Sequence, residues 1–334
     1  MNERVDVAGL GNALVDALVV YPEDALLGQL ALNRGTMHPV DHDTWEAKYA
    51  AVKDLGVEIQ SGGSCANSIA VLGLLGADAT FCGQVGDDEF GRLYAQRMVE
   101  ACGRHSLHIA DEGNTGKCLS LISAKDAERT LVTDLGAAVE LPHVGEFAAT
   151  IEKARLLHVT GYLFLGGPMK DAAMSALAAA KDAGVPISLD VADPFVIGVV
   201  KDTMWEVVRE FCDMVFLNEE EAFALTGLHG REALDAVARH CKTVIVKLGS
   251  KGSLVHHDGE VYEVPVYPVE AVDTTGAGDC YAAGYLYGWT QGWEPATCGQ
   301  LGSRIAALTV GQVGAVVRDR DRLLNAVAET LANA

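Results

Sequence analysis

Residues 271–288, AVDTTGAGDCYAAGYLYG, hold the arrangement best suited to chemistry. A β-branched strand end runs into Thr274-Thr275-Gly276-Ala277-Gly278-Asp279 and then into a stretch of small and aromatic residues that reads as a helix. Small residues at a strand-to-helix turn let the backbone come close to a ligand. The exposed N–H groups of the first helical turn, at the positive end of the helix dipole, favour a phosphate or a developing anion. Asp279 falls at that helix start. An anion hole becomes a site for phosphoryl transfer only with a proton acceptor beside it, and here both occur within a few residues. The same carboxylate would serve equally as a plain N-cap.

A second glycine-rich turn, SGGSCAN at residues 61–67, also precedes a helix. Gly62 and Gly63 would let a ligand lie against the main chain, and Ser64 would cap the helix that carries Asn67. A capped helix after a loop explains the segment as well. The third segment is NEEEA at 218–222, directly after the apolar run MVFL. Its carboxylates suit a helix dipole. Asn218 and Glu221, spaced i, i+3, would face one side at the carboxyl end of a parallel strand, where open α/β sheets bind ligands and where Mg²⁺ with its waters is a plausible guest.

Other motifs fail. Gly9-Leu10-Gly11 opens a dinucleotide fingerprint, but Leu14 stands at the third glycine position and the following residues read as strand. No G-x-x-x-x-G-K-[ST], H-E-x-x-H or C-x-x-C is present, and His256-His257 reads as a hairpin edge.

These segments need a scaffold, and short apolar runs supply one. Residues 5–9, 79–85, 156–160, 187–191, 214–217 and 243–248 read as buried strands of a parallel sheet. Amphipathic or alanine-rich stretches at 64–75, 90–101, 168–183 and 219–226 read as helices between them, which predicts a doubly wound α/β core. Two regions break the rhythm, 12–60 and 107–138. Their strand-like runs at 13–20, 118–122 and 130–133, with turns at Gly113-Asn114 and Lys125-Asp126, predict a small antiparallel sheet acting as a lid over a cleft. The core would then take residues 1–11, 61–106 and 139–334. Residues 256–264 read as a hairpin turning at Asp258-Gly259.

Composition narrows the function class. The chain of 334 residues is 49% hydrophobic and 21% charged, an ordinary globular balance with no need of disulfide or metal staples. A formal charge of −21 repels phosphate backbones and anionic lipid, which argues against nucleic-acid and membrane-surface roles. It does not exclude a nucleotide, which is held locally by N–H groups and a few cations. The eight scattered cysteines read as buried reduced thiols. With no signal sequence and no apolar run long enough to cross a bilayer, a soluble cytoplasmic protein is expected. Oligomeric state stays open between monomer and homodimer.

Taken in order, the three segments resemble the ribokinase-like, or PfkB, carbohydrate and nucleoside kinase family. DTTGAGD at 273–279 resembles its C-terminal signature, Gly62-Gly63 its Gly-Gly motif and Asn218–Glu221 its N-x-x-E motif. The resemblance covers nearly the whole chain and implies a Rossmann-like core with a β-sheet lid. It implies Asp279 as catalytic base, the Gly276, Ala277 and Gly278 amides as anion hole, and Asn218 and Glu221 organising Mg²⁺ through water. It further implies ATP beside Gly249, Gly252 and Thr275, and a monovalent cation such as K⁺ near Asp273. Within the family, GNALVDA, with Asn12 and Asp16, resembles the adenosine kinase motif whose Asp holds the ribose hydroxyls, with Gly63 and Asn67 alongside. ERTLVTDLGAA resembles the lid strand whose Arg, here Arg129, approaches the transferred phosphate, and the tail CGQLGSRIAALTVGQVGA resembles that group's C-terminal helix and turn. The expected reaction is phosphorylation of the 5′-hydroxyl of adenosine. The alternatives are a sugar kinase for ribose, fructose or a related sugar, and a non-catalytic nucleotide sensor.

Overall fold

A computed structural model describes residues 5–333 apart from 23, 24 and 127. Residues 1–4, on which the expectation of no leader partly rests, lie outside the described residues. In chain order the elements are β1 (Val7–Leu10), β2 (Leu14–Tyr21), α1 (Ala25–Gln29), β3 (Met37–Pro39), α2 (His42–Val52), β4 (Glu58–Gly62), α3 (Ser64–Leu75), β5 (Ala79–Gly86) and α4 (Glu89–Cys102). There follow β6 (Ser106–Ala110), β7 (Gly116–Ser123), β8 (Arg129–Asp134), α5 (Gly145–Lys153), β9 (Leu157–Thr160), α6 (Gly167–Asp182), β10 (Ile187–Asp190), α7 (Pro194–Glu210) and β11 (Met214–Asn218). The last are α8 (Glu219–Thr226), α9 (Gly230–Ala238), β12 (Thr243–Lys247), β13 (Ser253–His257), β14 (Glu260–Val264), α10 (Ala277–Thr290), α11 (Pro295–Val310) and α12 (Arg320–Ala332).

Nine strands form one sheet in the order β14-β13-β12-β11-β10-β9-β1-β5-β6, parallel except at β13 and β14. Buried residues on both faces of the inner parallel strands force helices onto both sides. In β11, Val215 and Leu217 join one core with residues of α5 to α9, while Met214 and Phe216 join another with α3, α4, α10, α11 and α12. That two-residue alternation is the strand period made into two hydrophobic layers. The hairpin at Asp258-Gly259 forms as expected, with both residues at positive φ.

The second sheet, β3-β8-β7-β2-β4, packs Ala17, Val19, Leu119 and Val132 against Trp45 of α2. Its strands lie within or beside the two regions expected to form a lid. Two details are corrected. The sheet is mixed rather than antiparallel, because β2 pairs with β7 and β3 with β8 in parallel. Long connections through the core join these strands, so no tight hairpin fixes their direction. Residues 107–110, expected in the lid, belong instead to β6 at the edge of the large sheet, parallel to β5.

Close backbone approaches set the helices that flank the cleft. A Cβ on Gly9 would lie 2.4 Å from Ile69, and one on Gly11 would lie 2.7 Å from Cys65, so these glycines bring α3 down onto β1 and serve no nucleotide fingerprint. Between α10 and α11, a Cβ on Gly284 would meet Gly302 Cα at 2.9 Å. All eight thiols are free, seven of them buried. Among the described residues no helix is long and apolar enough to cross a membrane.

The α10–α11 contact gives a direct test. Gly284→Val must push the two backbones apart, and overpacking of this kind costs roughly 1–3 kcal/mol. Urea unfolding should show that loss; stability unchanged within about 0.5 kcal/mol would contradict the close packing.

Candidate active site

Asp279 stands at the third position of α10, whose N-cap is Gly276 in the left-handed conformation. The glycine is required there, because φ is +70° and a Cβ would lie 2.4 Å from the Ala315 carbonyl oxygen. Asp279 makes no cap bond. Its carboxylate accepts from Ser64 Oγ at 2.5 Å and from Asn67 Nδ2 at 2.9 Å, both in the first turns of α3. The N-cap alternative for Asp279 therefore fails, and so does the expectation that Ser64 caps α3: Gly63 holds that position, and the Ser64 hydroxyl goes to Asp279 instead. Burial pushes the Asp279 carboxyl up to about 6, against the pull of the two hydrogen bonds. That value suits a proton acceptor at neutral pH.

On the second sheet, Asp16 occupies an interior strand, paired with Gln60 on one side and Cys118 on the other. An exposed edge-strand role is thereby excluded. A Cβ on Gly62 would lie 2.1 Å from Asp16 Oδ2, so that glycine makes room for the carboxylate. At Gly63 the Cβ would meet the Asn12 carbonyl oxygen at 2.3 Å. Both glycines thus leave room for protein groups in the direction a side chain would take. Burial lifts the Asp16 carboxyl to about 7; Arg129 opposes the shift and Asp279 adds to it. Asn12 Oδ1 and Asn67 Oδ1 are buried with no hydrogen-bond partner among the described residues.

Arg129, at the start of β8, forms an ion pair with Asp273 Oδ2. The same carboxylate accepts from the Thr275 and Gly314 N–H groups at 3.0 and 2.8 Å. Arg129 is thereby tied to the segment that opens the turn at 274–278. The expectation of a monovalent cation at Asp273 gains no support from a carboxylate so fully engaged.

Behind Asp279 opens a cavity of about 770 Å³. Asn218, Glu221, Gly249, Gly252, Gly276, Ala277 and Gly278 line it as the sequence led us to expect, with Thr274 in place of Thr275. Its far wall is apolar and includes Val266, Val269, Ala307 and Val310. Asn218 and Glu221 form a reciprocal capping box. Asn218 Oδ1 accepts from the Glu221 N–H at 2.8 Å, and Glu221 Oε2 accepts from the Asn218 N–H at 2.7 Å. The helix-capping reading of NEEE is thus realised, whatever else these residues do.

Two residues that the sequence reading left aside also line the cavity, Asp190 and Lys247. Lys247 Nζ lies 2.9 Å from Asp190 Oδ2. Their signal was a charged residue ending an otherwise apolar buried strand, ISLD in one case and TVIVK in the other.

Raised carboxyl groups link the site to stability. A folded-state pKa above the unfolded value of 3.8 means that the native protein holds a proton which the unfolded chain releases. Stability therefore falls as pH rises from about 4 to about 6 for Asp279, and the penalty persists above that window. Asp279→Asn removes the charge, and Asn67 can turn its amide to present the unpaired oxygen. Its Tm should exceed that of the unaltered protein at pH 8 by on the order of 2 °C, with the gain vanishing near pH 4. A gain independent of pH, or a lower Tm at pH 8, would contradict the burial of a charged Asp279.

Known proteins share this architecture. The description "pfkB family carbohydrate kinase" matches residues 38–320. The chain is 29% identical over 327 residues to adenosine kinase of Saccharomyces cerevisiae, covering 91% of this chain and 94% of that one. Among solved structures, adenosine kinase from Sinorhizobium meliloti is 31% identical with a TM-score of 0.86, covering 98% of this chain and 99% of its own. A probable sugar kinase from Rhizobium etli is 30% identical with a TM-score of 0.85, covering 98% of both chains. With its signature turn, its Rossmann-like core and its second sheet all in place, the chain belongs to the PfkB family of carbohydrate and nucleoside kinases, phosphotransferases that use an alcohol group as acceptor.

Proposed function

We propose that this kinase transfers the γ-phosphoryl group of ATP to the 5′-hydroxyl of adenosine, with Asp279 as general base. The observation that carries the reading is a set of oxygen acceptors beside Asp279. The Asn12 and Asn67 side-chain oxygens are buried without partners among the described residues, and Asp16 adds a buried carboxylate. Buried acceptors without donors are costly, so they favour a ligand rich in hydroxyl groups. A ribose offers a vicinal diol that can donate twice to one carboxylate, and charge-assisted bonds of this kind are the stronger ones. With the diol on Asp16, the 5′-hydroxyl would be presented to Asp279.

In this reading the 770 Å³ cavity takes ATP, its base against Val266, Val269, Ala307 and Val310 and its phosphates toward the first turn of α10. As the acceptor oxygen attacks, its proton passes to Asp279, while the Gly276, Ala277 and Gly278 backbone faces the charge that develops. Both Glu221 oxygens are engaged by Asn218. Among the described residues no group of three or more His, Cys, Asp or Glu side chains is placed to hold a metal directly. This donor set suits an ion that keeps its water shell, so Asn218 and Glu221 would hold Mg²⁺ through water, and the ion would neutralise phosphate charge. Closure of the second sheet over the acceptor would keep water out.

The similarity to a probable sugar kinase keeps ribose and fructose as the second reading, since the same acceptors would suit a free sugar. A panel of acceptors with labelled ATP separates them. Adenosine should turn over well and 2′-deoxyadenosine poorly, because a site built to pair a hydroxyl rejects the analogue lacking it. Asp16→Ala should cost about 2 kcal/mol or more in kcat/KM for adenosine and erase most of the preference for ribose over deoxyribose. Faster turnover of ribose or fructose than of adenosine would overturn the nucleoside assignment.

A further inference from the structure

Lys247 is the last residue of β12, and in register it stands opposite Asn218 at the end of β11. Asp190 ends the next strand, β10. All three therefore emerge at the carboxyl edge of the large sheet, where such sheets receive ligands. The Lys247 side chain is only 13% exposed, and it reaches the Asp190 carboxylate, itself 5% exposed. The other Asp190 oxygen accepts from the Ala192 N–H at 3.1 Å, which fixes the carboxylate in place.

Burying an ammonium is costly unless its charge is met, and Asp190 meets it here. A lysine kept only for stability would need nothing beyond that partner. This one also lies against the catalytic turn. A Cβ on Gly278 would come within 3.0 Å of Lys247 Nζ, so the ammonium sits beside the first turn of α10, next to the residue that precedes Asp279. Among the described residues lining the 770 Å³ cavity, Lys247 is the only lysine or arginine, whereas Asp190, Glu221 and Asp279 all bring carboxylates. A polyphosphate entering a site with three carboxylates, in a chain of charge −21, needs a full positive charge close to the anion-binding turn.

We propose that Lys247 is a catalytic cation that contacts the γ-phosphoryl group of ATP as it moves, and that Asp190 is the residue that positions it. The acceptor oxygen forms its bond to the γ-phosphorus as the bond from that phosphorus to the β,γ-bridging oxygen breaks. The electron pair leaves with ADP, the acceptor proton goes to Asp279, and Lys247 keeps its protons throughout. A side chain at Gly278 would press on the ammonium. The inference rests on the phosphotransferase activity of the family and is independent of which alcohol is the acceptor.

Calorimetry without any acceptor supplies the first arm. The unaltered enzyme should bind β,γ-methylene-ATP more tightly than ADP. Lys247→Ala should lose that preference while its ADP affinity changes less than about threefold. In turnover with the enzyme's own acceptor, kcat should fall by roughly 10²–10³. Added methyl- or ethylammonium should restore part of the rate with saturation, an effect that repair of packing alone would not give. If Lys247→Ala fails to fold, Asp190→Asn carries the test: the lysine remains, and the preference for the analogue over ADP should drop at least about fivefold. Equal losses for the analogue and ADP, or a kcat within about fivefold of the unaltered enzyme, would overturn the proposal. An unaltered preference in Asp190→Asn would overturn the positioning role. Failure of adenosine as acceptor leaves the calorimetric arm untouched, so the two readings fail separately.

Discussion

Two hydrogen bonds from α3 to the Asp279 carboxylate, from Ser64 Oγ and Asn67 Nδ2, are the constraint around which the cleft is arranged. They join helices more than two hundred residues apart in sequence and fix the carboxylate between the cavity and the second sheet. Hydrogen bonds to a charged group contribute roughly 1.5–3 kcal/mol each, enough to offset much of the cost of holding a carboxylate there. For the bonds to form, α3 must lie close on β1 and α10 close on α11. The glycines at 9, 11, 284 and 302 make those approaches possible. A third link, Ser68 Oγ to the Asp279 carbonyl at 2.9 Å, ties the backbone of the same residue to the same helix.

The cleft accepts electrostatic strain in exchange for chemistry. Burial raises the carboxyl groups of Asp16, Asp279 and Glu221, so each is held in a place that disfavours its charge. Lys247 is raised as well, which for an ammonium favours the charged form. Burial disfavours its charge, but Asp190 and the neighbouring carboxylates keep it positive. Sites whose environments push titratable groups away from their ordinary values are where proton transfer and phosphate recognition can occur at neutral pH. The surrounding cores are apolar and closely packed, and they supply the stability that the cleft gives up.

What the sequence made legible follows from distance along the chain. The turn at 273–279, the helix after it and the NEEE capping segment are local, so residue type and spacing suffice to read them. The parallel strands are equally plain, because burial on both faces gives continuous apolar runs. The Asp190–Lys247 pair spans β10 to β12 and emerges only when the strands stand in order. The destination of the Ser64 hydroxyl, and of Arg129, depends on partners from distant segments, and no local rule separates a cap from a tertiary bond. Pairing direction in the second sheet escaped notice for the same reason, since β2 and β7 are separated by core segments and no local turn sets how they pair.

The central claim is that Asp279 takes the proton from the acceptor hydroxyl, and Asp279→Asn tests it most directly. The substitution keeps the shape of the side chain and its place between Ser64 and Asn67. The account predicts a fall in kcat of roughly 10²–10⁴ while the acceptor dissociation constant changes little. A kcat within about threefold of the unaltered enzyme would contradict it.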